Sequence, residues 1–145
     1  MTKPIYIING PNLNLLGTRE PEIYGSETLK DIENICTQTA NAAGYDVKFM
    51  QSNHEGQIID WLHEARTNAI AIILNAGALT HTSVGLYDAL KAIDILKIEV
   101  HLSNPHAREE FRHKSFISPV SNGVIAGFGI DSYILAINGI VKKLT

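Results

Sequence analysis

Two side chains suited to chemistry, Arg19 and Tyr24, lie in a long connection between the first apolar run and the first helical pattern. A strand-to-helix connection in an α/β domain usually takes only a few residues, and this one is several times longer. Long loops at such positions are typical of lids and binding loops. An arginine and a tyrosine on this loop predict chemistry on a substrate over which the loop closes.

A carboxylate and an imidazole, Glu99 and His101, alternate with apolar residues in the run Lys97–Leu102. On a strand the two side chains share one face, roughly 7 Å apart between Cα atoms. Burying either group without a partner costs several kcal/mol, so their presence in a covered strand needs a reason. The pattern predicts that Glu99 fixes the tautomer of a catalytic His101. An ion pair on an edge strand is the alternative.

Two further cations, Arg108 and Arg112, are four residues apart. If this segment is helical, the two side chains lie one turn apart on the same face. Together with Arg19 they would bring three guanidinium groups to one anion. The alternative is a solvated surface on which they pair with Glu109 or Glu110.

The elements that must position these groups are five apolar runs that alternate with helical patterns. This alternation predicts an α/β fold with a five-stranded parallel sheet and helices on both faces, in a flavodoxin-like order. The predicted strands are Ile5–Ile8, Asp46–Met50, Ile70–Leu74, Ile98–Leu102 and Val124–Ala126. The predicted helices are a first one from a Ser26 N-cap to Ala43 before Gly44, then Glu55–Arg66, Val84–Ile93 with a Thr82 or Ser83 cap, a short one from Pro105, and Ile130–Leu144.

Polar residues collect where the predicted strands end. Asn12 follows the first strand, Asn75 and His81 follow the third, and Ser103 follows the fourth. In parallel sheets, ligands bind outside the carboxyl ends of the strands. Turn and cap chemistry explains some of these residues. It explains poorly why His101 lies near the end of the fourth strand. The sequence therefore predicts a ligand site at this edge of the sheet.

Composition limits the class of protein. The 145 residues are 45% hydrophobic and 19% charged, which predicts one domain, residues 1–145, with a sizeable core. A net charge of −3 argues against a nucleic-acid partner. The lone Cys36 fits a reducing compartment and a packing role. With no signal peptide and no apolar run long enough to cross a membrane, we expect a cytoplasmic protein without a membrane partner.

Other motifs argue against a cofactor. The segment Gly127–Ser132 follows a strand as a dinucleotide fingerprint would, but Ser132 stands where that fingerprint has its third glycine. There is no phosphate-loop signature, no nucleophile elbow and no metal-ligand spacing among the histidines. Two alternatives to a lid-covered enzyme remain. One is a non-catalytic flavodoxin-like module that binds a small anion or nucleotide, and the other is a hydrolase that uses Asp88 with His81 or His101.

Eight short motifs lie along most of the length of the chain. They are Asn9–Gly17, Arg19–Pro21, Tyr24–Gly25, Ser52–Gly56, Asn75–Ala78, Thr80–Ser83, Glu99–Asn104 and Arg108–Arg112. Taken together they resemble the type II 3-dehydroquinate dehydratases, small cofactor-free enzymes of the shikimate pathway. The resemblance implies trans elimination of water from 3-dehydroquinate, through an enolate, to give 3-dehydroshikimate.

The resemblance also implies residue roles. Tyr24 would remove the proton beside the ketone, supported by Arg19 and Arg108, and His101, oriented by Glu99, would protonate the departing hydroxyl. Asn12 would hold a water that stabilises the enolate. The residues implied in substrate binding are Asn75, His81, Asp88, Leu102, Ser103 and Arg112. Members of the family are homododecamers in which Asp88 reaches a neighbouring subunit's site.

Overall fold

The computed structural model describes residues 2–18, 20–24 and 26–145, with residues 21 and 24 described by their backbone only. The predictions for Arg19 and for the Tyr24 side chain therefore lie outside the described residues.

Five short strands form one parallel sheet in the order β2-β1-β3-β4-β5. They are β1 (Ile5–Asn9), β2 (Val47–Gln51), β3 (Ala71–Asn75), β4 (Leu96–His101) and β5 (Gly123–Ala126). This is the flavodoxin-like order, so the predicted fold class is confirmed. Asn9 at the end of β1 pairs in register with Gln51 and Asn75. The carboxyl ends of the three strands therefore lie side by side.

Helices cover both faces of the sheet. They are α1 (Pro21–Tyr24), α2 (Leu29–Ala42), α3 (Glu55–Asn68), α4 (Val84–Lys91) and α5 (Asp131–Leu144), and 3₁₀ turns occupy Leu13–Leu15, Gly77–His81, Pro105–Ala107, Glu110–Arg112 and Ser118–Val120. Helices α2 and α5 pack on one face of the sheet, and α3 and α4 pack on the other. Within the described ranges, no helix is long and apolar enough to cross a membrane.

The central strands β1 and β3 divide their side chains between two cores. Ile5 and Ile7 pack towards α2 and α5, whereas Tyr6 and Ile8 pack towards α3 and α4. Every residue of both strands is buried. Burial on both faces explains why these strands are nearly continuous apolar runs. It also makes them a fixed platform for the polar residues at their ends.

The structure corrects the start of the first long helix. Thr28, and not Ser26, is the N-cap: its hydroxyl accepts from the Asp31 N–H, and the Asp31 carboxylate accepts from the Thr28 N–H. This reciprocal capping box satisfies two helix-end donors, which Ser26 has no carboxylate in position to do. The predicted Ser83 cap of α4 is confirmed, because its hydroxyl accepts from the Leu86 N–H.

The short helix predicted from Pro105 is also wrong as a continuous element. Two separate 3₁₀ turns replace it, and the chain is extended at Arg108 between them. Arg108 and Arg112 therefore do not lie one α-helical turn apart on a single face. Asn104 caps the first turn by accepting from the His106 N–H, which fits the favourable place of proline at a helix start. The remaining boundaries differ from prediction by one or two residues.

Candidate active site

A buried chain of hydrogen bonds ties the strand ends to α5. The Asn75 amide donates to the Tyr133 hydroxyl at 2.9 Å, and that hydroxyl donates to Asn9 Oδ1 at 2.6 Å. The Asn9 amide in turn donates to the Met50 carbonyl at 2.9 Å. Asn75 Oδ1 accepts from the Gly77 N–H at 3.2 Å. Burial raises the pKa of Tyr133, so its hydroxyl stays a neutral bridge that holds Asn75 in one orientation.

We expect Tyr133→Phe to lower the free energy of unfolding by about 2 to 3 kcal/mol, because Asn9 Oδ1 and Asn75 Nδ2 are buried and lose the Tyr133 hydroxyl as their partner. Equilibrium urea denaturation at fixed protein concentration measures this. Tyr45→Phe is the matched control, since that ring packs only partly buried against the same side of the sheet. Equal losses in the two variants would contradict a structural role for the bridge.

Two loops approach each other closely to form the floor of the site. At Gly10 an added Cβ would lie 2.4 Å from the Ala76 carbonyl oxygen, and at Gly77 it would lie 2.9 Å from the Pro11 oxygen. Only glycine permits this contact between the ends of β1 and β3. Next to it, Asn12 has φ of 71°, a left-handed conformation that costs energy outside glycine and that asparagine tolerates best. Its backbone N–H donates to Asn53 Oδ1 at 3.0 Å.

The predicted pair on β4 is present. His101 Nε2 and Glu99 Oε2 are 2.5 Å apart, with Glu99 2% and His101 8% exposed. Both side chains lie on the α3 and α4 side of the sheet, whereas Val100 packs on the other side. Because the Glu99 carboxylate is ionised and can only accept, the Nε2–H group of His101 is the donor in this hydrogen bond. The Nδ1 atom of His101 is then the ring nitrogen available to a ligand.

Two serines that sequence reasoning missed hold the Glu99 carboxylate. The Ser115 hydroxyl donates at 3.1 Å to Oε2 and lies 3.3 Å from Oε1, and the Ser118 hydroxyl donates to Oε1. Burial raises the pKa of Glu99, but the hydrogen bonds from His101, Ser118 and Ser115 outweigh it and hold that pKa below its usual range. Glu99 is therefore a fixed anion beneath His101.

His81 stacks beside His101, with ring centroids 6.5 Å apart and ring planes 16° from parallel. Its Nδ1 lies 2.8 Å from the Lys114 carbonyl oxygen and donates to it. Burial lowers the pKa of His81; the bond to Lys114 opposes this, while the positive charges of His101 and Arg112 reinforce it. A neutral His81 with Nδ1–H bonded to a carbonyl presents Nε2 as an acceptor.

Arg108 and Arg112 reach the site from the two 3₁₀ turns. Arg112 Nε donates to Glu109 Oε1 at 3.0 Å, and Arg108 Nε lies 3.8 Å from the same oxygen. Arg108 also donates through Nη1 to Ser103 Oγ at 3.3 Å. Both arginine side chains are at least four-fifths buried, whereas Glu109 is half exposed. Two guanidinium groups facing one carboxylate leave a net positive wall that favours an anionic ligand.

These groups surround one pocket at the carboxyl end of the sheet. The wall contains eight of the predicted site residues: Asn12, Asn75, His81, His101, Leu102, Ser103, Arg108 and Arg112. Leu13, Leu15 and Leu16 add an apolar side. Glu99 lies behind His101.

Of the predicted site residues that the structure describes, Asp88 alone lies away from the pocket. It is exposed on α4 and is absent from the pocket wall of its own chain. This separation argues against a hydrolase in which Asp88 pairs with His81 or His101 of the same chain. Among the residues that the structure describes, no group of three or more His, Cys, Asp or Glu side chains could hold a metal ion.

Known proteins match this chain along its length. The family model for dehydroquinase class II matches residues 3–141. The 3-dehydroquinate dehydratase of Rhizobium etli is 58% identical over 145 residues, covering 100% of this chain and 99% of the relative. The crystal structure of type II dehydroquinase from Butyrivibrio crossotus has a TM-score of 0.93 at 46% identity and covers 96% of this chain and 97% of that chain.

A second solved structure agrees. The type II dehydroquinase from Propionibacterium acnes has a TM-score of 0.94 at 39% identity, with 98% of each chain covered. A match over nearly the whole sequence, together with a pocket built by the motifs that carry the resemblance, assigns the chain: it belongs to the class II dehydroquinase family.

Proposed function

We propose that this chain is a type II 3-dehydroquinate dehydratase, a hydro-lyase whose single catalytic domain is residues 1–145. The observation that carries the proposal is the Glu99–His101 pair, in which His101 lines a pocket that also holds Arg108 and Arg112 and Glu99 lies behind it. A module that only bound an anion would need the arginines but not a buried acid–base pair. Relatives that share most of the chain are named 3-dehydroquinate dehydratase.

The proposed reaction has two bond-breaking steps. The Tyr24 phenolate takes the proton from the carbon beside the ketone, and the C–H electron pair moves into the carbonyl to give an enolate. The enolate then expels the β-hydroxyl, which takes the Nδ1 proton of a His101 imidazolium and leaves as water, while the His101 Nε2–H stays hydrogen-bonded to Glu99. The product is 3-dehydroshikimate, a conjugated enone. One proton ends on Tyr24 and one has left His101, so exchange with solvent restores both groups.

Glu99 keeps His101 in the correct orientation, because the His101 Nε2–H is committed to the carboxylate and Nδ1 faces outward. A pre-aligned acid costs no reorganisation when the leaving group develops charge. Arg19 and Arg108 stabilise the tyrosinate, and Asn12 holds a water against the enolate oxygen.

Substrate binding follows the polarity of the wall. The Arg112 and Arg108 side offers positive charge to the carboxylate, and Ser103 and the Leu102 backbone add hydrogen-bond donors. Asn75 and His81 line the pocket, and they are the proposed partners of the substrate hydroxyls. Asp88 contributes from a neighbouring subunit. No cofactor or metal takes part in this scheme.

Ultraviolet absorbance on mixing with 3-dehydroquinate tests the activity, because dehydration creates a conjugated enone. We expect the absorbance to rise with the wild-type protein and to stay flat with Tyr24→Phe. A passive anion-binding module would give no rise with either protein. A hydrolase would instead turn over esters, which this proposal does not predict.

The assembly in this proposal is a homo-oligomer, a homododecamer by resemblance to the family, that serves the shikimate pathway in the cytoplasm. Large apolar side chains at the surface support association: Phe111, Val124 and Phe128 are each at least half exposed. The proposal includes neither a nucleic-acid nor a membrane partner. Sedimentation velocity is expected to show a single species well above the monomer mass, and a monomer at micromolar concentration would contradict the assembly.

A further inference from the structure

The Glu99 carboxylate lies between β4 and the turn formed by residues 115–121. Each carboxylate oxygen has a hydroxyl donor on that turn, Ser118 for Oε1 and Ser115 for Oε2. His101 Nε2 is the third donor, also to Oε2. A carboxylate bonded at both oxygens by groups on another element has one preferred plane. The orientation of Glu99 is therefore set from outside β4.

The turn that carries the two serines is itself anchored. The Ser115 oxygen accepts from the N–H groups of Ile117 and Ser118, each at 3.0 Å. Ile117 is fully buried in the core beneath α3 and α4. The Phe116 N–H donates to the Thr80 carbonyl at 2.9 Å, and the Asn122 N–H donates to the Lys97 carbonyl at 2.7 Å. Both ends of the turn are thus tied to the elements that form the pocket.

We propose that Ser115 and Ser118 are positioning residues that hold Glu99 as an oriented carboxylate and thereby aim His101 at the pocket. Neither serine is among the residues that line the pocket. Their effect passes through Glu99. In kinetic terms this proposal rests on the proposed dehydratase function, but the geometry of the Glu99–His101 pair is measurable without any substrate.

The other titratable and charged groups near the Glu99–His101 pair have positions or contacts of their own. His81 stacks on His101, and Arg112 lies beyond it in the same pocket wall. His106 and His113 line a second cavity behind Glu99, together with Ser115 and Ser118. Lys97, on the same face of β4, is turned away and donates to the Leu90 and Ile93 carbonyls. Within the part of the chain that the structure describes, none of these groups donates a hydrogen bond to Glu99, and its side-chain donors are His101, Ser115 and Ser118.

Ser118→Ala is the sharpest test, because the Ser118 hydroxyl donates to Glu99 whereas the Ser115 oxygen also supports the turn. Ser121→Ala is the matched control: Ser121 lies at the end of the same turn, but its hydroxyl donates to the Ile117 carbonyl. Ser118→Thr keeps the hydroxyl and should retain the wild-type Glu99 pKa and kcat. Ser118→Cys replaces it with a weak donor of similar size and should give an intermediate effect, even if the alanine variant folds poorly.

Two measurements report the effect of Ser118→Ala, one on the Glu99 pKa and one on the kinetics. Carbon-13 NMR titration of the Glu99 carboxyl in the ligand-free protein, assigned with Glu99→Gln, should show a higher pKa in Ser118→Ala than in the wild type. Removing a donor to the ionised form always moves the pKa in this direction. Steady-state kinetics should show kcat at neutral pH reduced about tenfold with KM little changed, and the acidic limb of kcat displaced to higher pH.

The outcomes separate the two proposals. An unchanged Glu99 titration and an unchanged pH profile in Ser118→Ala would overturn the positioning role, as would equal effects in Ser121→Ala. If the wild-type protein does not dehydrate 3-dehydroquinate but the Glu99 pKa still rises in Ser118→Ala alone, the proposed function fails and the positioning of Glu99 stands.

Discussion

Replacing Tyr24 by phenylalanine is expected to lower kcat by about three orders of magnitude or more while KM stays within a few-fold of the wild type. The described pocket wall has no carboxylate side chain that could act as a base, and its ionisable groups are His81, His101, Arg108 and Arg112. Guanidinium groups do not act as bases at neutral pH. The His101 Nε2–H is donated to Glu99, and His101 is the proposed acid. Tyr24 is then the proposed base, and its loss removes proton abstraction.

A nearby guanidinium group can offset the free energy needed to ionise a tyrosine in such a pocket. A free phenol has a pKa near 10, so forming the phenolate at pH 7 costs roughly 4 kcal/mol. One guanidinium at about 4 Å, with an effective dielectric constant near 20, returns about 4 kcal/mol before desolvation. Arg108 is a largely buried guanidinium in the wall, and Arg19 lies on the same loop as Tyr24 in sequence. If both guanidinium groups approach the phenolate as proposed, their two charges are enough to bring it within the working pH range.

His81 is the competing base, because its Nε2 is an acceptor in the pocket and burial lowers the pKa of its ring. The two candidates are separated by exchange of the substrate hydrogen beside the ketone with deuterium, followed by NMR in heavy water. Tyr24→Phe should abolish exchange as well as dehydration, and His81→Gln should mainly raise KM. Tyr87→Phe on α4 is the control for loss of a phenol outside the pocket wall. Exchange at the wild-type rate in Tyr24→Phe would assign the base to His81.

Much of this site was predictable because its signals are local in sequence. The run Ile70–Leu74 predicts a strand buried on both faces, and β3 is that strand. Period two along β4 is enough to place Glu99 and His101 on one face, and burial then requires that they pair. The polar residues that follow β1, β3 and β4 converge because parallel strands end at one edge of the sheet.

The groups that sequence reasoning missed act over long separations in the chain. Tyr133 bridges Asn9, 124 residues away, and Asn75, 58 residues away. Ser115 and Ser118 are 16 and 19 residues from Glu99. A serine in a polar turn looks like ordinary turn chemistry, and a tyrosine on the apolar stripe of α5 looks like core. The one available signal is the requirement that a buried carboxylate have donors at both oxygens.

Arg108 and Arg112 show how a site prediction can hold although its structural reason is wrong. Helical spacing predicted a shared face, but the segment breaks into two 3₁₀ turns. Both side chains nevertheless line the pocket, and both guanidinium groups lie near the Glu109 carboxylate, the pairing that the alternative interpretation expected. Their shared location therefore does not depend on helical periodicity.

Replacing His101 by alanine is the second change with a large expected effect: kcat should fall about 10²- to 10⁴-fold, the range for losing a general acid, with KM little changed. The stability should also fall by about 1 to 3 kcal/mol at neutral pH, since a buried carboxylate loses a donor. Glu99 has a lowered pKa in the folded protein, so its stabilising contribution is present above the ordinary glutamate pKa and is lost as pH falls through the folded value. The stability difference between the proteins should therefore shrink in acid.

The deuterium exchange experiment distinguishes this variant from Tyr24→Phe. If His101 acts after the enolate has formed, His101→Ala still allows the proton beside the ketone to be removed and returned. The variant should then exchange that hydrogen with solvent while it forms product slowly, whereas Tyr24→Phe should do neither. His63→Ala, an exposed histidine on α3, is the control and should match the wild type. Parallel loss of exchange and dehydration in His101→Ala would instead place His101 in proton abstraction, because an acid that serves only the leaving hydroxyl has no part in forming the enolate.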